Sequence, residues 1–339
     1  MHIFKKDIII RETILKKGND MRKAIFSINA VFFLIILLAQ ALLSGVDQKE
    51  PIKINHEILG EGLPIIMLHD FGTDSNQMKG CMEPLFKKRP GWKRVYIDLP
   101  GMGKTEAKNW VNNTDRIDEI VSSLIDTRFM NQKIVLAGHS YGAYLARAIA
   151  QEKGDNVEGI LMIAPLTVPE TEKRRLPKYQ ILEKDPNLIA KLNPEDAKLF
   201  QTQVVTQNEK TWQRFKDDIL PGIKAANTEY LMKLRGLGFA FSYDLNNVRM
   251  FFQKPSLIIT GRQDHIIGCL DALDLLDFFP KADFVALDFA GHNLQFEQEE
   301  AFNFLVNRWL DRIEKNLKTE YFLNVPAVEG IIDIDKTEE

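Results

Sequence analysis

Short apolar runs alternate with amphipathic stretches along most of the chain after residue 51. Several of these runs are nearly continuous Val, Ile and Leu, which suits strands buried on both faces of a parallel sheet. The strand-like runs are Ile52–Ile58, Leu63–Leu68, Lys93–Asp98, Lys133–Ala137, Gly159–Ile163, Ser256–Thr260 and Phe284–Leu287. Helical patterns separate them, for example over Thr114–Met130 and Tyr141–Lys153. The alternation predicts an α/β fold with a doubly wound, mostly parallel sheet.

One long interval breaks this alternation and divides the predicted core in two. Residues 166–246 are charged, helix-favouring and punctuated by prolines, and an insertion of this size predicts a helical cap rather than a loop. The core is therefore assigned to residues 47–165 and 247–317. Its last helix, about Gln298–Leu317, has one apolar face, and residues 318–339 are expected to form a polar tail.

The N-terminal segment, residues 1–46, has a different pattern. Basic residues outnumber acidic ones up to Lys23, and Ala24–Val46 carries no charge at all. A basic flank before an apolar stretch predicts a secretory signal peptide or a membrane anchor, and hence export or membrane association. Two small residues, Ala39 and Ala41, favour cleavage, whereas the length of the uncharged run favours retention. Met21 is an alternative start that would leave a compact signal peptide.

Composition narrows the functional classes. The chain has 339 residues and a formal net charge of −3, so it lacks the excess of basic residues that is typical of nucleic-acid-binding proteins. Its two cysteines, Cys81 and Cys269, form no CxxC pair, so the sequence predicts neither a metal knuckle nor a disulfide framework. Whether the two could pair stays open. No cofactor and no metal are expected, and the expected partner is a small-molecule substrate.

The strongest motif is a glycine-flanked serine between a strand and a helix. It reads Gly138-His139-Ser140-Tyr141-Gly142 and follows the strand that ends near Ala137. A nucleophile on so tight a turn needs small neighbours, and the turn lifts its hydroxyl clear of the sheet above a helix N-terminus. Ser140 is therefore the candidate nucleophile. The side chain of His139 is expected to point away from the hydroxyl.

A serine hydroxyl needs a base, and the base needs an orienting acid. His292 lies just after the last strand-like run, and Asp264 follows the strand Ser256–Thr260. Loops at the carboxyl ends of parallel strands are where sites form in open α/β sheets. Asp264 is thus the predicted acid and His292 the predicted base. Asp271 and Asp274 are fallback acids, both expected inside the following helix.

In this order of Ser, Asp and His, the chain resembles the α/β-hydrolase family from about Ile52 to Ile313. The resemblance implies an eight-stranded sheet. It also implies an oxyanion hole made by the backbone N–H groups of Phe71 and Tyr141, because Leu68-His69-Asp70-Phe71-Gly72 is similar to the family's His-Gly-x-Gly loop. Asp70 stands where glycine is usual. A carboxylate there is unfavourable unless its side chain turns outward.

Two further features of the sequence bear on function. The turn that begins at Asp98 resembles the family's structural Asp-x-x-Gly-x-Gly turn. It ends in a P-loop-like Gly-Lys-Thr, but Asp98 occupies the position where a phosphate cradle needs glycine, so nucleotide binding is disfavoured.

The sequence predicts a serine hydrolase of the carboxylesterase class, acting on a small, partly apolar ester through an acyl-enzyme. Alternatives are hydrolysis of an amide, lactone or carbon–carbon bond, a binding or sensing module with little turnover, and a scaffold at the membrane.

Overall fold

The computed structural model describes residue 35 and residues 50–246 and 251–324, with the backbone alone at 320–324. Apart from Ile35, the predicted signal or anchor at residues 1–46 lies outside the described residues. Among those that are described, no helix combines the length and apolarity needed to cross a membrane. The strands and helices of the described ranges belong to one unit that begins at Ile52.

Among the described residues, seven strands follow the apolar runs of the sequence with some shifted bounds, whereas two short strands fall in the interval predicted as a helical cap. They are β1 His56–Leu59, β2 Leu63–Leu68, β3 Trp92–Ile97, β4 Ile134–His139, β5 Val157–Ile163, β6 Glu183–Lys184, β7 Thr206–Gln207, β8 Ser256–Gly261 and β9 Ala282–Leu287. In the described ranges, seven of them form one sheet in the order β1-β3-β2-β4-β5-β8-β9, while β6 and β7 pair separately. Only β1 runs antiparallel to its neighbour. The mostly parallel sheet is confirmed.

The expected count of eight strands was wrong for the described residues, which contribute seven strands to this sheet. The edge strand β1 gains no further partner strand among the described residues. The chain that leads into β1, residues 50–55, is irregular, and Asn55 instead accepts a backbone bond from Asp98 at the end of β3.

Helices connect the strands and cover the sheet. The α-helices are α1 Ser75–Phe86, α2 Thr114–Phe129, α3 Tyr141–Lys153, α4 Pro186–Lys191, α5 Pro194–Gln203, α6 Glu209–Arg214, α7 Leu220–Ala225, α8 Thr228–Leu237, α9 Leu270–Leu273, α10 Leu294–Glu297 and α11 Glu299–Asn324. A π-helical turn, Phe215–Ile219, joins α6 to α7. The last helix runs beyond the expected end at Leu317, into the predicted tail, because no glycine or proline interrupts the sequence before Pro326.

The interval predicted as a cap contains α4 to α8 and has an apolar cluster of its own. Phe200, Trp212 and Phe215 pack together in it, with Phe296 contributed from α10. Much of the aromatic content of this interval therefore serves its own packing. Other aromatics reach the main core, since Phe239 contacts the rings of Phe71 and Tyr141.

The sheet order brings four loops to one edge. Strands β2, β4, β8 and β9 are followed by the loops that carry Asp70, Ser140, Asp264 and His292, respectively. Because Leu68 pairs with Gly138, the Asp70 loop lies beside the serine turn. Since Gly261 pairs with Leu287, the Asp264 and His292 loops also lie side by side. Parallel strands thus place side chains from distant parts of the chain at the same carboxyl edge.

Candidate active site

The serine turn is as tight as its glycines imply. Ser140 has φ 53° and ψ −113°, a strained conformation for a residue with a Cβ, and helix α3 begins at the next residue. A Cβ on Gly142 would lie 2.2 Å from the carbonyl oxygen of Leu68, and one on Gly138 would lie 2.4 Å from the carbonyl carbon of Gly142. The glycines are therefore required by close backbone approach, and they hold the serine at the end of β4.

Asp264 and His292 form a buried pair beside this turn. His292 Nδ1 donates to Asp264 Oδ2 at 2.8 Å, and both side chains are at most 3% exposed. The other oxygen of Asp264 accepts the backbone N–H groups of Ile266 and Ile267. Burial alone would raise the pKa of Asp264, but the His292 charge and these hydrogen bonds outweigh it and lower the pKa. Asp264 is thus an ionised partner that orients the imidazole.

The fallback acids lie elsewhere. The carboxylates of Asp271 and Asp274 both bind the guanidinium of Arg175, and neither is bonded to His292 in the described part of the chain.

The other nitrogen of His292 faces Asp70 instead of the serine. His292 Nε2 lies 3.1 Å from Asp70 Oδ2, whereas no hydrogen bond joins His292 to Ser140 among the described residues. The Ser140 hydroxyl shares a cavity wall with this carboxylate and helps to lower the pKa of Asp70. The outward orientation that would suit a carboxylate in this loop is therefore not adopted. Asp70 points inward and lies between the candidate nucleophile and the candidate base.

Asp70 also occupies one of the two amides expected to hold an oxyanion. The N–H of Phe71 donates to Asp70 Oδ1 at 2.6 Å. The N–H of Tyr141 belongs to the first turn of α3, where backbone amides have no acceptor within the helix. In this arrangement the carboxylate takes the place that a substrate oxyanion would need at Phe71.

These contacts shift the pKa values of both partners. Burial lowers the pKa of His292, but the charges of Asp264 and Asp70 outweigh it and raise the pKa to about 10. Burial raises the pKa of Asp70, while the charge and hydrogen bond of His292 pull it well below its usual range. At neutral pH the site therefore holds an imidazolium between two carboxylates.

His139 contacts the loop that carries His292. Its Nε2 lies 2.9 Å from the carbonyl oxygen of His292, and the two imidazole rings are 4.9 Å apart at their centroids. His69 fixes the neighbouring loop, because its Nδ1 donates to the Asp70 carbonyl and its Nε2 accepts from the Leu99 amide.

Two polar residues that support the site had no sequence signal. Gln77 accepts the Asp70 N–H at 2.8 Å and approaches His139 Nδ1 at 3.4 Å. Glu297 accepts the N–H of Gly291, next to His292, and those of Val205 and Thr206 in the cap interval. Both residues lie inside helices and match no motif of catalytic residues. Only their contacts reveal them.

Two adjoining cavities open onto this cluster. One of about 350 Å³ has Ser140, Asp70 and His292 in its wall, and the other, of about 310 Å³, shares Asp70 and His292 with it. The apolar part of the first cavity includes Phe71, Tyr141, Leu166, Phe239 and Ile267. A larger groove of about 970 Å³ lies between the end of α1 and helix α11, and its wall carries neither the serine nor a histidine. Only the two smaller of these three cavities therefore place a bound molecule next to Asp70 and His292.

Known proteins resemble this chain over most of the described fold. The family model of the alpha/beta hydrolase fold matches residues 64–299. An alpha/beta superfamily hydrolase from Oenococcus oeni PSU-1 has a solved structure with a TM-score of 0.71 and 28% identity, covering 79% of this chain and 99% of that one.

Among curated proteins, one relative is the dihydrolipoyllysine-residue acetyltransferase component of the acetoin cleaving system of Pseudomonas putida. It is 26% identical over 73% of this chain, and the match spans 63% of that protein. A putative esterase/lipase of Mycoplasma pneumoniae is 21% identical over 74% of this chain and 90% of its own length. Because these names differ in chemistry, the comparisons support the hydrolase family and leave the substrate undefined.

Proposed function

Because the chain belongs to the alpha/beta hydrolase fold family, we propose that it is a serine hydrolase that cleaves a carboxylic ester of a small, partly apolar substrate. One observation carries the proposal: a serine on a strained turn and a buried Asp264–His292 pair open onto the same cavity of about 350 Å³. Positioned nucleophiles and oriented bases are the parts that acyl transfer needs.

The reaction would proceed in two steps once the Asp70 carboxylate has left His292 Nε2 and the imidazolium has lost its Nε2 proton to solvent. Ser140 Oγ attacks the substrate carbonyl while Nε2 takes the hydroxyl proton, and the amides of Phe71 and Tyr141 hold the oxyanion. His292 then gives this proton to the leaving alcohol. A water molecule gives a proton to the same nitrogen and attacks the acyl-enzyme, the bond from the acyl carbon to Ser140 Oγ breaks, and Nε2 returns the proton to Oγ as the acid leaves.

The cavity wall supports a compact substrate with an apolar part. Its aromatic portion comes from Phe71, Tyr141 and Phe239, which contact one another edge-on or at a tilt. The guanidinium of Arg235 lies over the Phe71 ring at 5.5 Å and faces both cavities, so a substrate with a polar or anionic end would also find a partner. A lactone, an amide or an activated carbon–carbon bond could be attacked by the same machinery.

A second candidate is a ligand-binding or sensing module with little turnover. The observation that favours it is the position of Asp70, which occupies both the base and an oxyanion amide. An occupied site of this kind would bind ligands in its cavities while reacting slowly.

A fluorophosphonate probe separates the two candidates. The full chain is incubated with the probe at pH 8 to 9, next to Ser140→Ala and a control variant, Ser123→Ala, which changes an exposed serine on α2. For a hydrolase we expect labelling of the native chain and the control, and none of Ser140→Ala. Absence of labelling in the native chain under these conditions would refute the hydrolase and favour the binding module. A panel of p-nitrophenyl esters of rising acyl length then defines the substrate class.

We also propose that residues 1–46 direct the protein to export or to a membrane. The support is the basic flank followed by the uncharged run Ala24–Val46. Expression of the full chain, followed by cell fractionation and mass determination, tests this. Recovery of an uncleaved protein solely in the soluble cytoplasmic fraction would contradict it.

A further inference from the structure

We propose that Asp70, His139 and His292 form a binding site for a divalent transition-metal ion, with zinc as the best match to the donors. One ligand atom from each of the three side chains lies within 4.8 Å of the other two. Asp70 Oδ2 is 3.1 Å from His292 Nε2 and 4.0 Å from His139 Nδ1. Atoms bound to one zinc ion at about 2.0–2.2 Å lie roughly 3–3.5 Å apart, so small side-chain rotations would complete the set.

The remaining polar atom of each ligand already has a partner. His139 Nε2 is bonded to the carbonyl of His292 at 2.9 Å, and His292 Nδ1 to the carboxylate of Asp264 at 2.8 Å. Asp70 Oδ1 accepts the N–H of Phe71. Histidines that bind metals usually donate their other N–H to a carbonyl or carboxylate in this way, and ligating carboxylates are hydrogen-bonded in turn. The supporting contacts of a metal site are thus in place around all three side chains.

These contacts also select the right nitrogens. Because Nε2 of His139 donates to a carbonyl, its lone pair is on Nδ1. The amide of Gln77 reaches this lone pair through a long contact of 3.4 Å. The amide of Gln77 is oriented by its carbonyl oxygen, which accepts from the Asp70 backbone. In neutral His292, donation from Nδ1 to Asp264 leaves the lone pair on Nε2, which faces Asp70. A metal ion that displaces the Nε2 proton of His292 would therefore meet two imidazole lone pairs and a carboxylate oxygen at one point.

The site has an entrance and room for a further ligand. Asp70 and His292 are in the wall of the cavity of about 350 Å³, together with Ser140. Three protein ligands with a position open to a cavity are typical of zinc sites that bind an exchangeable water molecule. The sequence carried no sign of the site, because its ligands lie at positions 70, 139 and 292 and the fold alone brings them together.

The consequence for the serine chemistry rests on the proposed function. A metal ion on His292 Nε2 takes the lone pair that must accept the Ser140 proton. Metal binding and acyl transfer would therefore exclude each other, and the ion would be a reversible inhibitor. Binding itself does not depend on whether Ser140 reacts.

Zinc binding is tested on the full chain after removal of metal with EDTA and dialysis. Calorimetric titration with zinc chloride alone should show one site per chain with a Kd below about 10 µM. We expect His139→Gln and Asp70→Asn to weaken binding at least about 10-fold, and Ser140→Ala to retain it. His265→Gln is the matched control, because this histidine lines the same cavity and its Nε2 binds the Thr202 carbonyl. Circular dichroism and thermal melting verify that each variant is folded.

The outcomes separate this proposal from the proposed function. Absence of a single site, or equal loss of affinity in the His265→Gln control, would overturn the metal site whatever the probe shows. Zinc binding by the native chain and Ser140→Ala, with no probe labelling of the metal-free protein, would support the metal site and refute the hydrolase. If the metal-free chain is labelled, saturating zinc should slow labelling at least about 10-fold, and unchanged labelling would overturn the shared site.

Discussion

Replacing Asp70 with glycine should make Ser140 more reactive. Glycine is the residue that the resemblance to the family leads us to expect at this position. The change removes a carboxylate that binds His292 Nε2 at 3.1 Å and the Phe71 amide at 2.6 Å. It leaves the His292–Asp264 bond and the serine turn intact. Both the base and one oxyanion donor would then be available to a substrate.

The size of the rate increase follows from the cost of displacing the Asp70 carboxylate in the native chain. Removing an oxyanion donor costs an enzyme about 10²–10³ in kcat, or roughly 2.7–4 kcal/mol. Moving a buried, hydrogen-bonded carboxylate away from an imidazolium costs a similar amount, roughly 3 kcal/mol. One movement of Asp70 frees both groups, so the two costs overlap and are not additive. The glycine variant should react with a fluorophosphonate about 10²-fold faster than the native chain at pH 7.

The pH profile adds a second readout. Burial lowers the pKa of His292, but the carboxylates of Asp264 and Asp70 raise it to about 10. The neutral imidazole that can accept a proton is therefore scarce at pH 7, and the labelling rate of the native chain should climb until the pH approaches 10. Without Asp70, one of the two carboxylates is gone and the pKa falls. The glycine variant should thus reach its plateau at a lower pH.

The assay is the second-order rate of probe labelling from pH 6 to 10, with EDTA present throughout. Asp70→Asn is the matched control, because it keeps the side-chain size and removes the charge. A rate for the folded glycine variant equal to or below that of the native chain across this range would refute the reasoning, and Asp70 would then have to assist the reaction.

Three further predictions concern the scaffold. Glu297→Gln should lower Tm by roughly 5 °C in calorimetry. The two carboxylate oxygens of Glu297 accept three backbone N–H groups, and the single amide oxygen of glutamine cannot replace both of them. An unchanged Tm would contradict this. Gly142→Ala should lower the free energy of unfolding by more than about 3 kcal/mol in chemical denaturation. Gly236→Ala, whose Cβ would meet nothing within 4 Å, should leave this free energy unchanged or raise it by up to about 1 kcal/mol. Equal effects of the two substitutions would be inconsistent with the close backbone approach at Gly142. In the native protein, a thiol reagent should modify half-buried Cys269 and leave Cys81 unmodified, because Cys81 is buried and burial raises the pKa of its thiol to about 12. Equal rates of modification of the two cysteines would argue against the burial of Cys81.

Backbone features of the site could be predicted because each candidate group follows its own strand. Ser140, Asp264 and His292 lie in the turn or loop that follows an apolar run, and parallel strands bring their carboxyl ends to one edge whatever their separation in sequence. The glycines at 138 and 142 were informative for the same reason, since their positions depend on backbone proximity alone. The cysteines are a contrast. Their spacing said nothing about pairing, and both are free thiols.

Features that depend on side-chain packing were not predictable. The count of strands rested on resemblance, and the irregular chain at residues 50–55 departs from it. Glu297 acts through the loop of Gly291 and through two amides some 90 residues earlier in the chain, so no local pattern could identify it. The last helix continues past its predicted end because polar composition alone does not stop a helix, and no glycine or proline occurs before Pro326.

Asp70 turns inward because of charges that only the fold brings together. A carboxylate next to an oxyanion site is unfavourable as long as the only charge considered is the developing negative charge of the substrate. In the structure, the Asp70 carboxylate lies next to the positive charge of His292. Asp264 fixes the position of this imidazole, whose charge attracts Asp70 as a second carboxylate. With Phe71 donating to it as well, the inward rotamer satisfies two donors that an outward rotamer would leave unpaired in the resting site. An unpaired buried donor costs about 1–3 kcal/mol, so the resting protein gains from the same contacts that catalysis must break.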